Sequence, residues 1–138
     1  MKRLALFSSI LIGLLLLMGS RPVSSQTAKP QPLTLALQCT GGDCPLLNGA
    51  PQTAGMRSGY VRLKPGESVG WHSTGANEES LVILRGEGKA LAEGQPKLDF
   101  AAPRLIYISP STRHNISNSG RVVLEYVYVV AAAGTSAR

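Results

Sequence analysis

The residues that could carry chemistry are few, because the chain of 138 residues contains only two histidines, His72 and His114. His72 ends a short apolar run, and Glu79 begins the next run after a turn that contains Gly75. A hairpin over this turn would place the Glu79 carboxylate beside His72. If His114 converges on the same point, two imidazoles and one carboxylate can hold a divalent transition metal and leave other coordination positions open.

Short strands are the elements that would position these residues. Turn-forming Gly, Pro and Asn residues separate a series of short apolar runs, and no long stretch after the N-terminal segment has the periodicity of a helix. The runs are 33–38, 59–63, 68–72, 80–84, 89–92, 104–108 and 121–130. This pattern predicts an all-β sandwich or barrel.

The last run, 121–130, is apolar on both faces apart from Glu125. Such a strand is expected either at the centre of a sheet or under a second subunit, since both arrangements cover two faces and protect open sheet edges. A homodimer is therefore a hypothesis. In the same run Tyr126 and Tyr128 share a face, which we interpret as barrel wall from which a hydroxyl can reach a ligand.

The N-terminus has the pattern of an export signal. Lys2 and Arg3 precede an apolar run from Leu4 to Met18, about 15 residues long, which is short for a membrane-spanning helix. Small and polar residues follow, and we place cleavage near Ser25. The sequence thus predicts a signal peptide over 1–25, a flexible linker over 26–32 and a folded domain over 33–138, located in the periplasm or outside the cell. An uncleaved membrane anchor is the alternative.

The charge of the chain changes when the signal is removed. The formal net charge of +6 falls to about +3, because three basic residues and no acidic residue leave with the signal. The remaining basic residues are scattered among acids, without a basic run or interleaved aromatics. This distribution argues against a nucleic-acid partner and against stable membrane insertion after cleavage.

Cys39 and Cys44 are the only cysteines, and they are separated by a segment with two glycines. In an exported protein such a pair is expected to form a local disulfide that staples a loop. A pair of free or metal-binding thiols and a redox-active pair are the alternatives. A zinc site is disfavoured because the nearest histidine in sequence is His72.

The segment around His72 and Glu79 resembles the first conserved motif of the cupin superfamily. That motif is a Gly, five residues, His-x-His, three or four residues, a Glu, six residues and a Gly. The residues at the corresponding positions are Gly66, His72, Thr74, Glu79 and Gly86. One histidine of the motif is thus replaced by Thr74.

The segment around His114 is similar to the second cupin motif, which is a Gly, five residues, Pro-x-Gly, two residues, a His, three residues and an Asn. The corresponding residues are Pro103, Ser109, Ser111, His114 and Asn118. The first three depart from the motif, although Pro110 lies one place after the motif's proline position. The resemblance covers about residues 57–130 and implies a double-stranded β-helix, which is a jelly-roll-like barrel.

The resemblance also implies a metal held by His72, Glu79 and His114, with Fe, Mn, Ni or Zn as candidates, and a small organic ligand in the barrel. The candidate substrate-binding residues are Thr74, Tyr126 and Tyr128. Two functions fit: a metal-dependent dioxygenase or isomerase, and a non-catalytic ligand-binding or sensing protein with a degenerate metal site. The three retained ligands favour the enzyme, whereas Thr74 favours the binding protein.

Overall fold

The computed structural model of the protein describes residues 29–134. The predicted signal peptide over 1–25 lies outside these residues, as do the first residues of the predicted linker. Eight strands form the described part: β1 (Gly42–Asn48), β2 (Arg57–Leu63), β3 (Asn77–Arg85), β4 (Glu87–Ala92), β5 (Leu98–Ala101), β6 (Arg104–Ile108), β7 (His114–Asn118) and β8 (Leu124–Ala132). None of the described residues forms a helix long and apolar enough to cross a membrane.

The strands form two antiparallel sheets. The larger sheet has the order β1-β2-β8-β3-β6, and the smaller has the order β5-β4-β7. Residues 66–72 run beside β7, where isolated bridges join Ser68 to Ser117 and His72 to His114. This segment completes the smaller sheet next to the strand that carries His114.

The core lies between the two sheets. Val61, Leu81 and Leu124 enter it from the larger sheet, and Phe100 and Ile116 enter it from the smaller one. Burial of each large apolar side chain stabilises the fold by about 2 kcal/mol. Inward and outward positions alternate along each strand, so the same periodicity that buries the core also decides which polar residues point inside.

The tight turn between β3 and β4 depends on Gly86. Its backbone has a φ of 85°, and a Cβ built there would lie 2.9 Å from the carbonyl oxygen of Val123. A side chain at this position would therefore meet both an unfavourable backbone conformation and a fixed backbone atom.

Most of the predicted strands are present. The runs at 59–63, 80–84, 89–92 and 104–108 each lie within an observed strand, and 121–130 overlaps β8. The prediction of a strand over 33–38 was wrong, because no neighbouring strand pairs with this segment and Leu33, Leu35 and Leu37 are nearly half exposed. The run at 68–72 is bridged to β7 at its two ends and is not a continuous strand.

β8 lies at the centre of the larger sheet, between β2 and β3. This position accounts for the apolar pattern of its run without a second subunit, and the homodimer stays a prediction. Glu125 points to the outer face, where its carboxylate accepts a hydrogen bond from Tyr60 Oη at 2.9 Å and lies 3.4 Å from Arg62 Nε. Burial and the neighbouring Glu125 carboxylate raise the pKa of Tyr60.

Cys39 and Cys44 form a disulfide, with Cα atoms 5.7 Å apart. Cys44 lies within β1, so the bond fixes the preceding segment to an edge strand of the larger sheet. Arg62 Nη1 on the neighbouring strand donates a hydrogen bond to the Cys39 carbonyl at 3.0 Å. The disulfide thus stabilises the strand end rather than an isolated loop.

Candidate metal centre

Paired backbone segments hold the two histidines side by side. His72 N donates to the His114 carbonyl at 3.0 Å, and His114 N donates to the His72 carbonyl at 2.8 Å. The ring centroids lie 4.3 Å apart. The spacing of the two imidazoles is therefore set by backbone pairing. The residues that precede the two histidines in sequence also meet, since the Arg113 guanidinium lies 5.5 Å from the ring centroid of the exposed Trp71.

Glu79 reaches the same point from the larger sheet. It lies in β3 opposite Val130 of β8 and Ile108 of β6, and its side chain faces inward. Ligand-type atoms of His72, Glu79 and His114 all lie within 4.8 Å of one another. The structure thus brings together the three residues that the sequence singled out as metal ligands.

Hydrogen bonds to the backbone orient both imidazoles. His72 Nδ1 lies 3.0 Å from the Gly70 carbonyl, and His114 Nδ1 lies 3.0 Å from the Thr112 carbonyl. A carbonyl can only accept, so each Nδ1 carries the proton. In the neutral ring each Nε2 then keeps a free lone pair, which is the arrangement of metal-binding histidines.

Two atoms at the centre of the site are buried without a hydrogen-bond partner. His114 is fully buried and Glu79 is 4% exposed. His114 Nε2 and Glu79 Oε2 face each other at 3.2 Å, yet neither makes a hydrogen bond of good geometry within residues 29–134. Unpaired buried polar atoms are costly, and a shared cation would satisfy both at once. The residues present therefore fit a divalent metal.

The electrostatic surroundings of His114 also favour a cation at this site. Burial lowers the pKa of His114, but the Glu79 carboxylate and the Thr112 carbonyl raise it by more, so the pKa lies above its ordinary value. The pocket between His114 and Glu79 consequently favours a positive charge.

We expect the metal-free protein to lose stability as the pH rises. The raised pKa of His114 means that its stabilising protonation is complete below the ordinary value of 6.5 and is lost as the pH rises through the folded-state pKa. Urea unfolding in the presence of a chelator, above about pH 5.5 so that carboxylates remain ionised, measures this effect. The variant His114→Gln should flatten the profile. A wild-type stability that increased over this range relative to the variant would contradict the assignment.

Thr74 lies beside the site but uses its hydroxyl locally. Its Oγ1 donates to the Asn77 carbonyl at 3.1 Å, and Asn77 Nδ2 donates back to the Thr74 carbonyl at 2.8 Å. The residue lines the same cavity as His72. Its oxygen lone pairs remain available to a ligand, and the predicted role in ligand binding stays a prediction.

The three candidate ligands open on a cavity of about 640 Å³ between the sheets. His72 lies on its exposed side, whereas Glu79 and His114 are buried. The apolar part of the lining consists of Pro45, Leu47, Val61, Leu63, Val69, Ile116 and Val130. The polar part includes Asp43, Arg57, Ser68, Tyr126 and Tyr128. Both tyrosines named from the sequence therefore lie in the cavity wall.

Sequence reasoning missed two charged residues of this lining, Asp43 and Arg57. Asp43 lies between the two cysteines and faces the cavity through the pairing of β1 with β2. Arg57 is spaced by two and four residues from Gly59 and Val61 on β2, and strand alternation could have indicated that all three face inward. The position of Asp43 had no comparable local signal.

Gly59 makes room for Tyr128. A Cβ built on Gly59 would collide with the Tyr128 ring, which therefore lies across β2 toward β1. There the Tyr128 hydroxyl lies 3.5 Å from Asp43 Oδ2. Burial and the Asp43 carboxylate raise the pKa of Tyr128 to about 12, and burial also raises the pKa of Asp43. This pair forms a polar rim to the cavity.

Comparisons with solved structures agree with this architecture. A cupin protein from Bacteroides fragilis is 23% identical, with a TM-score of 0.59 over 78% of this chain and 88% of its own. A cupin family protein with a double-stranded β-helix fold from Methanocaldococcus jannaschii is 22% identical, with a TM-score of 0.59 over 67% of this chain and 81% of its own. A predicted oxalate decarboxylase from Thermotoga maritima is 20% identical, with a TM-score of 0.53 over 72% of this chain and 100% of its own. A search among curated protein sequences gave no match.

These likenesses confirm the predicted all-β double-stranded β-helix. The family model of the cupin domain matches residues 59–130, which is more than half of the chain and includes all three candidate metal ligands. With this match and with two sheets that enclose the cavity of the candidate ligands, the protein belongs to the cupin family, and residues 29–134 form a single cupin domain.

Proposed function

We propose that the protein binds a divalent transition metal through His72, Glu79 and His114 and takes a small organic ligand into the adjoining cavity. The observation that carries this proposal is the pair of buried, unpartnered atoms, His114 Nε2 and Glu79 Oε2, 3.2 Å apart. Each imidazole is already fixed by its Nδ1 hydrogen bond, so both Nε2 atoms are free to coordinate. Imidazole and carboxylate ligands suit Fe, Mn, Ni and Zn.

The cavity supplies what a ligand would need. A bound metal would act there as a Lewis acid toward a ligand oxygen. The apolar lining, including Val61 and Ile116, offers nonpolar contacts to a ligand, and the exposed side of His72 leaves a route for entry. The hydroxyls of Tyr126 and Tyr128 and the guanidinium of Arg57 belong to the same lining and would orient the ligand.

For the reaction we favour a metal-dependent enzyme of the dioxygenase or isomerase type. Two histidines and one carboxylate leave coordination positions open for a substrate, which is the arrangement of many non-haem oxygenases. The likeness to a predicted oxalate decarboxylase concerns the fold only, at 20% identity.

One observation favours a second function, a non-catalytic ligand-binding protein. Thr74 stands where the motif has its second histidine, and its hydroxyl hydrogen is committed to Asn77. A metal held by fewer protein ligands is held more weakly. Recovery of a bound ligand unchanged after incubation with the metal-loaded protein would favour this binding role over the enzyme.

The metal content of the purified domain tests the proposal directly. The protein is purified without chelators or a histidine-rich tag, stripped, and dialysed against Fe, Mn, Ni or Zn in turn. We expect about one metal per chain with at least one of these ions, as for a single site with three protein ligands. A ratio near zero with all four ions would refute the metal site.

The disulfide supports the predicted export of the chain. A bond between Cys39 and Cys44 persists in an oxidising compartment, whereas cytosolic thiols are kept reduced. We therefore propose that the domain functions in the periplasm or outside the cell.

A further inference from the structure

The tyrosines of the chain differ in what their hydroxyls contact. Three of the four donate to a carboxylate: Tyr60 to Glu125 at 2.9 Å, Tyr107 to Glu78 at 3.1 Å and Tyr128 to Asp43 at 3.5 Å. Of these three tyrosines, Tyr60 is buried, whereas Tyr107 is exposed on the outer face. Pairing with a carboxylate is thus the usual state of a tyrosine in this protein.

Tyr126 is the exception. It is only 2% exposed, the most buried of the four, and it lines the cavity. Its hydroxyl has no hydrogen-bond partner in the described part of the chain. The hydroxyl is not one of the buried side-chain atoms that lack a partner, so it borders the cavity, where a bound molecule can accept its hydrogen bond. Burial and the nearby Glu79 carboxylate raise the pKa of Tyr126 well above its usual range, so its hydroxyl is a neutral donor at physiological pH.

The charges around Tyr126 indicate which acceptor it would meet. Glu79 and Asp43 each bring a negative charge to the cavity, and Arg57 brings a positive one. With the divalent metal of the proposed function in place, the charged groups sum to one net positive charge. A ligand with a single negative charge balances this sum, whereas a doubly charged phosphate monoester exceeds it.

We infer that the Tyr126 hydroxyl donates a hydrogen bond to a carboxylate oxygen of the cavity ligand, and that the ligand is a small organic monocarboxylate that also contacts the metal. This inference rests on the proposed metal site. Hydrogen bonds to a charged acceptor are stronger than those to a neutral one, so Tyr126 would select carboxylates over their amides. The positive charge of Arg57, at the cavity rim, also favours a carboxylate over its amide.

The test uses the folded protein loaded with Co²⁺, whose visible absorption reports a ligand that approaches the metal. Mandelate and mandelamide are the probes, because they differ in charge and share one ring and one hydroxyl. Tyr126→Phe should weaken mandelate binding about tenfold or more and leave Co²⁺ affinity unchanged. It should leave the melting temperature of the metal-free protein unchanged, since the hydroxyl borders the cavity and makes no hydrogen bond to the described residues. Tyr107→Phe, on the exposed outer face, is the matched control and should bind as the wild type does.

The outcomes separate the two proposals. Failure of the wild type to bind Co²⁺ would overturn the metal site and this inference with it. Co²⁺ binding together with equal mandelate affinity in Tyr126→Phe and the wild type would overturn the inference alone. Arg57→Gln, at an exposed position, provides a second variant: several-fold weaker mandelate binding with unchanged mandelamide binding supports a carboxylate ligand. Equal effects on both probes would contradict it.

Discussion

Replacing Glu79 with glutamine is expected to lower the affinity for a divalent metal by about 100-fold or more, beyond the loss seen when only outer groups around a metal are changed. The substitution keeps the size of the side chain and removes its negative charge. The Glu79 carboxylate is buried and lies 3.2 Å from His114 Nε2, and neither an amide nor a water molecule would replace its negative charge at the metal. The remaining protein ligands would be two neutral imidazoles.

Glu78→Gln is the matched control for this experiment. Glu78 is the preceding residue on β3 and points to the outer face, where it accepts a hydrogen bond from Tyr107 Oη at 3.1 Å. Metal affinity measured by competition with a chromophoric chelator should fall in Glu79→Gln and stay at the wild-type value in Glu78→Gln. Equal affinities in all three proteins would show that the carboxylate of Glu79 is not a ligand.

Replacing Thr74 with histidine is expected to tighten metal binding by about 10-fold to 100-fold, because it adds an imidazole to a site with open positions. Thr74 lines the cavity next to His72, on the loop between His72 and β3. The change removes the hydrogen bond from Thr74 Oγ1 to Asn77, at a cost of about 1 kcal/mol. The turn itself is retained by the Asn77 side chain, which donates to the backbone of residue 74.

Thr74→Val separates the two effects of this substitution. Valine removes the hydroxyl and adds no ligand, so its metal affinity should equal that of the wild type while its unfolding midpoint falls slightly. Chelator competition measures the affinity, and urea unfolding of the metal-free proteins measures the stability. Equal metal affinities in Thr74→His and Thr74→Val would mean that position 74 does not face the metal.

Two of the three candidate metal ligands, His72 and Glu79, were predictable from local geometry. His72 and Glu79 flank one turn, so the spacing along the chain nearly determines their separation in space. His114 lies outside this turn, and its approach depends on pairing between residues 66–72 and β7. Motif resemblance supplied this long-range contact, which residue spacing alone could only suggest.

The far wall of the cavity was not predictable in the same way. Asp43 enters it through the register of β1 on β2, in which Asp43 pairs with Val61. The sequence pattern instead indicated a first strand over 33–38, where leucines alternate with other residues. Alternation shows that a segment can pair but does not identify its partner, and the segment that pairs with β2 is β1.

The reciprocal backbone hydrogen bonds between His72 and His114 have a consequence for how an ion is captured. These bonds, at 3.0 and 2.8 Å, fix the backbone of both histidines. Binding of the ion therefore restricts the backbone little further. The protein thus differs from small zinc domains, in which the ion drives folding. The backbone loses its conformational entropy on folding, before the ion binds. Discrimination among ions therefore depends on ionic radius and preferred coordination geometry.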